Sequence, residues 1–278
     1  DASLAPVRRA KALLEEMTLA ERIGQLNQRL YGFRIYERKC VNGEDTIELS
    51  EEFCQEVEKY SGLGVLYGLY RADPWADKNY ETGLTGVLSK KAYNQVQRYV
   101  LEHSRLGIPV MMSSECPHGH QALDGYLLPV NLLAGATFDP AMVRAAYRVS
   151  GRQLQNMGVD LALMSMLDVL RDPRWGRSEE CYSEDPYLSA RMAEAAVIGM
   201  QESGPKVVAK HFAAQGEGTG GVNASAARIG ERELREIHFP PAAAAIKAGA
   251  KGIMAAYNEI DGVYCHANRW LLNDVIRK

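Results

Sequence analysis

Lys206-Val-Val-Ala-Lys-His-Phe212 is a short run, apolar on both faces, that ends in two side chains able to donate hydrogen bonds. A strand buried on both faces belongs in a parallel sheet covered by helices. Four more runs share this character, at roughly 64–69, 108–114, 159–166 and 251–257. Helical segments lie between them. Thr18 and Glu21 form a capping box ahead of Leu19, Ile23 and Leu26, and Ser50 opens a second helix. Ser89 is read as the cap of a long helix reaching His103. Asp139-Pro140 and Asp185-Pro186 pair an N-cap with proline at the first helical position, opening helices to about Met157 and Gln201. Residues 231–247 read as helix, broken or kinked at Pro240 and Pro241, and a last helix starts near Asn268. Residues 72–88 carry no regular pattern.

Alternating strands and helices leave two closures, an open doubly wound sheet or a barrel. The chemically capable residues stand at the C-terminal ends of several different strands: Glu115, Asp168, Lys210-His211 and Tyr257-Asn258. An open sheet concentrates its site at one switch point, whereas a barrel gathers residues from all its strand ends. The expectation is therefore α/β, a TIM-barrel-like (β/α)8 domain. Five strands fall short of the eight such a barrel needs. The domain is expected to be incomplete at its C-terminal end, with apolar surface bare where the later strands would pack. The competing reading is a smaller α/β fold that is whole.

Composition narrows the function classes. A net charge of -3 gives no field to attract nucleic acid or an anionic membrane, and no apolar run approaches membrane-spanning length. Cysteines 40, 54, 116, 181 and 265 are scattered and odd in number, so neither a disulfide framework nor a zinc spacing is expected. A reducing, cytoplasmic setting is mildly favoured by that usage. The chain starts at Asp1, so a secreted or periplasmic setting stays open if a signal peptide was removed. No glycine-rich nucleotide loop follows the first strand, and no cofactor is expected.

Arg171-Asp-Pro-Arg-Trp-Gly-Arg177, running on to Tyr182-Ser-Glu-Asp-Pro186, mixes guanidinium groups, carboxylates and an indole. Such a mixture suits a neutral, hydroxyl-rich ligand, held by paired donors and stacking. A salt-bridged structural loop is the plainer reading. Trp175 either stacks on a sugar or plugs the rim, and Arg174 shares that ambiguity. Lys210 and His211 both reach one cleft only if the strand end twists or bulges, because neighbouring strand residues face opposite ways. Their plain alternative is a lysine paired to a buried acid beside a core histidine. Glu115 can accept from two hydroxyls or act as an acid or base. His118 and His120, with Glu115 and His211, match no metal-ligand spacing, and no metal is expected. Residues 215–223 hold four glycines and resemble a mobile loop over a cleft, without the Gly-Lys-Ser/Thr ending of a phosphate loop. Tyr257 can support a neighbouring carboxylate, while Asn258 either joins it or ties down the following turn.

As a set, Glu115-Cys-Pro-His-Gly119, the Asp172–Pro186 motifs and Lys210-His-Phe212 are specific. Glu231-Arg-Glu-Leu-Arg-Glu236, Ala256-Tyr-Asn-Glu-Ile-Asp-Gly262 and Asn268-Arg-Trp-Leu-Leu272 follow in the same order. Together they resemble the N-terminal barrel domain of glycoside hydrolase family 3, the β-glucosidases, β-xylosidases and related exo-enzymes. The resemblance covers nearly all of 1–278 and is least distinctive over residues 30–85. It implies a parent enzyme that removes terminal non-reducing β-D-glycosyl residues with retention, by an aspartate nucleophile and a second carboxylate. It implies that Glu115, Arg177, Lys210 and His211 line the glycone subsite, with Tyr257 beside the nucleophile. His118, Asp168, Arg174, Trp175 and Asn258 fall in supporting or rim positions.

Three departures from the family pattern follow. Glu115 stands where many glucosidases carry aspartate and xylosidases often carry glutamate, so β-xylosides compete with β-glucosides and their oligosaccharides as substrates. Val222 stands where many relatives place arginine. The nucleophile's Ser-Asp-Trp segment is expected beyond Lys278, and the acid/base from a following domain or loop, so the second α/β domain is absent from 1–278 and this piece alone is expected to be inactive. A non-catalytic sugar-binding or structural fragment is the alternative of a different class. The phosphorylases and N-acetylglucosaminidases of the family fit the motifs less well, and a homo-oligomer stays open.

Overall fold

A computed structural model describes residues 3–277. The chain divides into two compact units. One holds Asp1–Ser114 with Ala122–Asp124, and the other holds Glu115–Gln121 with Gly125–Lys278.

The first unit opens with helices α1 (Pro6–Glu16) and α2 (Leu19–Leu26). The Thr18–Glu21 capping box forms in both directions, a device worth about 1 kcal/mol. An antiparallel hairpin follows, β1 (Tyr36–Val41) with β2 (Glu44–Leu49), then α3 (Glu51–Tyr60) capped by Ser50. β3 (Val65–Tyr67), α4 (Gly86–Glu102) and most of β4 (Met111–Glu115) complete this unit. α4 starts one turn earlier than Ser89, after Thr85, whose side chain makes no cap bond. Ser89 is buried within the helix instead.

The second unit holds α5 (Asn131–Gly135), α6 (Pro140–Asn156), β5 (Leu161–Ser165), α7 (Pro186–Gln201) and β6 (Lys206–Phe212). Asp139 accepts from the Met142 amide at 3.0 Å, and Asp185 from the Tyr187 and Leu188 amides at 2.6 and 3.1 Å. Both cap-proline signals therefore open helices where the sequence places them. Next come α8 (Glu231–Glu233), a π-helical turn Leu234–His238, α9 (Phe239–Lys247) and β7 (Gly252–Ala255). The π turn lets the helix continue to Pro240 and Pro241 by resetting its hydrogen-bond pattern just before them. A two-rung ribbon, β8 (Glu259–Ile260) with β9 (Val263–Tyr264), precedes a final π-helical segment, Trp270–Val275.

β3 to β7 form one sheet in the order β3-β4-β5-β6-β7. β3 with β4, β5 with β6 and β6 with β7 pair in parallel. The sheet curls through 195°, a half-barrel. Strict sequential order, with no reversal, is barrel topology and excludes the doubly wound alternative. β6 is buried along most of its length, whereas the edge strand β7 is half-exposed throughout.

Packing in the second unit centres on α7, which buries Met192, Ala193, Ala196, Val197 and Met200. Gly199 sets the approach of α6, since a Cβ there would lie 2.2 Å from the Arg144 carbonyl oxygen. No helix among the described residues is long and apolar enough to cross a membrane.

Candidate active site

Four stretches of the second unit bring charged groups together: Glu115 at the end of β4, the segment after β5, the end of β6, and residues 213–217 beyond it. Lys210 and His211 both join this cluster because β6 bulges. Lys210 pairs with Met254 and Phe212 with Ala255, so His211 is an extra residue opposite β7. Such a bulge re-aims side chains that the pleat would send to opposite faces. The Lys210–His211 and Phe212–Ala213 peptides are cis.

Lys210 is buried, with 4% of its side chain exposed, and its ammonium pairs with the Glu115 carboxylate. His211 is equally buried. Its Nδ1 lies 2.8 Å from Asp168 Oδ2, and its Nε2 lies 3.2 Å from Arg177 Nη2. An arginine can only donate, so Nε2 accepts and Nδ1 carries the proton to Asp168. His211 is thus the neutral Nδ1–H tautomer, assigned from its partners. Burial lowers its tendency to protonate, and the Asp168 carboxylate only partly opposes that.

Asp168 is the hub. Oδ2 also accepts from the His211 amide at 3.3 Å, while Oδ1 accepts from the amides of Gln215 and Gly216 at 3.0 and 3.2 Å. One carboxylate therefore fixes a histidine tautomer and the path of the chain leaving β6.

Arg177 spans two partners. Its Nε and Nη2 donate to Glu180 at 2.7 and 2.8 Å, a bidentate pair, and Nη2 also faces His211. Burial disfavours the Arg177 charge, but Glu180 outweighs it and keeps the guanidinium firmly protonated. Trp175 is 2% exposed in a cluster with Leu170 and Cys181, so it plugs the rim and offers no face to a ligand. Its indole N–H donates to Asn223 at 3.1 Å. Gly221, at φ +71°, lets the glycine loop press against this region, since a Cβ would sit 2.8 Å from the Arg174 Cβ.

Not every residue singled out in the sequence joins this cluster. Arg174 is 71% exposed and clips Asp172 beside it, which holds that carboxyl down at about 2. Asn258 is fully buried and donates to the Ala213 and Glu259 carbonyls at 3.4 and 3.3 Å, tying down the turn. Tyr257 is 56% exposed, its ring centred 6.0 Å from that of His211. His118 keeps a buried Nδ1 with no hydrogen-bond partner among the described residues. Burial holds the nearby His120 neutral, with its pKa lowered to about 4. Gln215 went unread in the sequence. It is fully buried, accepts from the Tyr257 amide at 3.2 Å and donates to Asn223 at 3.1 Å.

The cluster can do one thing well. It presents a carboxylate, an ammonium and a guanidinium, each fixed by a partner and each able to bond further hydroxyls. A polyol fits this donor–acceptor set better than an anion does.

The family model for the glycosyl hydrolase family 3 N terminal domain matches residues 18–278. A putative beta-xylosidase of Formosa agariphila is 33% identical over 286 residues, covering 100% of this chain and 36% of that protein. A periplasmic beta-glucosidase of Salmonella typhimurium is 30% identical over 271 residues, covering 95% of this chain and 31% of that protein. The structure of a β-glucosidase from Erythrobacter marinus superposes with a TM-score of 0.82 at 33% identity, over 100% of this chain and 35% of that one. The chain thus spans about a third of the length of the relatives it matches.

Proposed function

This chain belongs to glycosyl hydrolase family 3, and from that membership we propose that the full-length protein hydrolyses terminal non-reducing β-D-glycosyl residues by a retaining double displacement. Within it this chain supplies the glycone pocket. Glu115 accepts from sugar hydroxyls, Lys210 and Arg177 donate to them, and His211 takes part from its place between Asp168 and Arg177. Tyr257 flanks the reacting centre. The observation that carries this reading is the pairing of Glu115 with Lys210, both at strand ends, beside the Asp168–His211–Arg177 chain of contacts.

A bond from a glycone hydroxyl to a carboxylate such as Glu115 strengthens as the ring approaches an oxocarbenium ion, because the hydroxyl proton becomes more acidic. Fixed donors and acceptors are already oriented for that state and need no reorganisation. The cluster's many internal bonds serve this end.

Glu115 bears on which sugar is taken. Its extra methylene, relative to aspartate, extends toward the space a C6 hydroxymethyl would fill, which favours β-xylosides, and one relative is named a putative beta-xylosidase. Glu115→Asp is expected to raise the β-glucoside to β-xyloside ratio of kcat/KM by about tenfold, since one methylene is worth roughly 1–3 kcal/mol at such a site. The shorter side chain also draws away from Lys210, so absolute rates fall for both. Paired assays on nitrophenyl β-glucoside and β-xyloside decide. An unchanged ratio removes the crowding explanation, and no hydrolysis of either by the unaltered protein favours a sugar-binding fragment.

A further inference from the structure

A second group of residues, wholly within the first unit, has the chemistry of a sugar site. Tyr31 forms an isolated parallel bridge with Tyr67, placing it at the C-terminal end of β3. Its ring stacks on Phe33, with centroids 5.6 Å apart, and meets Trp75 edge-on at 5.1 Å. Phe33 is buried, yet Tyr31 and Trp75 stay 41% and 49% exposed. The Arg71 guanidinium lies 4.5 Å from the Trp75 ring centre, and the part of each ring left exposed is costly to leave in water and suited to contact with a sugar.

A cavity of about 160 Å³ adjoins them, lined by Arg29, Tyr31, Arg34 and Glu52, among others. It is below the roughly 300–1,000 Å³ of pockets for drug-sized ligands and has room for a single sugar ring. Arg34 has no carboxylate partner among the described residues. Its guanidinium lies 5.4 Å from the Tyr31 ring centre and 5.6 Å from that of Phe33, so its N–H groups remain available. Arg29 donates to Glu52 at 3.0 Å and to Glu56 at 3.1 Å. The lining holds two arginines and one glutamate, and Glu56, outside the lining, offsets Arg29 by its ion pair, so the group as a whole carries no net charge to select an anion. Aromatic surface, an unpaired donor fork and an exposed carboxylate with zero net charge are the recognition set of a neutral pyranose.

We propose that this cavity and the Tyr31–Trp75 surface form an accessory binding site for neutral oligosaccharides. One ring sits in the cavity against Tyr31, with its hydroxyls on Arg34 and Glu52, and the adjoining ring lies on Trp75. The site makes no use of the Glu115–Lys210 cluster.

The test is calorimetric titration of the full-length protein with xylotetraose and cellotetraose while a glyconic lactone saturates the glycone pocket. Tetrasaccharide binding persists under the lactone, weakens by about tenfold or more in Tyr31→Ala and Arg34→Ala, and is retained in Tyr31→Phe. Turnover of nitrophenyl β-glycosides is unchanged in all three variants, which also shows that they fold. Absence of tetrasaccharide heat once the lactone is present overturns the proposal, as does wild-type affinity in both alanine variants. Tyr31-dependent binding in a protein that neither binds lactone nor turns over glycosides upholds this site and sinks the glycosidase reading instead.

Discussion

Replacing Lys210 with alanine is expected to lower kcat of the full-length protein by about two to three orders of magnitude, with a much smaller rise in KM. Lys210 is buried against Glu115, so alanine removes a donor and strands a carboxylate in a low-dielectric pocket. Misplacing Glu115 removes one preorganised electrostatic contact to the transition state, and such a loss costs roughly 2.7–4 kcal/mol, which is the rate factor given. The split between kcat and KM follows because Lys210 holds the Glu115 carboxylate, whose bonds from the sugar hydroxyls gain strength only as positive charge develops on the ring. His211→Ala should act in the same sense, more weakly, since Nε2 is engaged by Arg177. Steady-state kinetics on a nitrophenyl β-glycoside decide; a raised KM at unchanged kcat means that Lys210 grips the ground state alone.

Asp168 is expected to matter as much, without touching substrate. Each of its oxygens accepts from two donors, His211 N and Nδ1 on one side and the Gln215 and Gly216 amides on the other. An asparagine cannot serve both sides, because its NH2 faces N–H groups whichever way it is turned. Asp168→Ala leaves these groups unsatisfied and should cost roughly 3–5 kcal/mol of stability. Asp168→Asn should fold and lose roughly 100-fold in kcat through the orientation of His211. The pH profile separates positioning from scaffolding. The carboxylate favours the protonated imidazole and burial opposes it, so removing the negative charge should move the acid limb of kcat/KM to lower pH. A limb that stays in place while activity falls would mean that Asp168 only holds the loop.

Much of this was legible in the sequence. Thr18–Glu21, Asp139-Pro140 and Asp185-Pro186 cap helices where local chemistry says they should, because a cap needs only neighbouring residues. The five strands stood out because their runs are apolar on both faces, although β7 at the sheet edge is only half-buried. By contrast α1 buries no residue and so leaves no stripe to read. The β1–β2 hairpin went unread because its strands are largely charged and exposed, with Ile47 and Tyr36 among the few buried positions. Glu115, Lys210 and His211 were found by their place at strand ends, and the bulge at His211 supplies the exception to the pleat that the reading required. The hub role of Asp168 and the place of Gln215 were not legible. They depend on backbone N–H groups converging after β6, a property of the loop's path that no residue type announces. Trp175 could have stacked or plugged, and only burial distinguishes the two.

The central claim is that Glu115, Arg177, Lys210 and His211 hold a glycone. A structure of the full-length protein soaked with a glyconic lactone tests it most directly. The lactone is expected with its hydroxyls within hydrogen-bond distance of the Glu115 carboxylate, the Lys210 ammonium and the Arg177 guanidinium. A lactone bound elsewhere, with the Glu115–Lys210 pair closed and untouched, would contradict it.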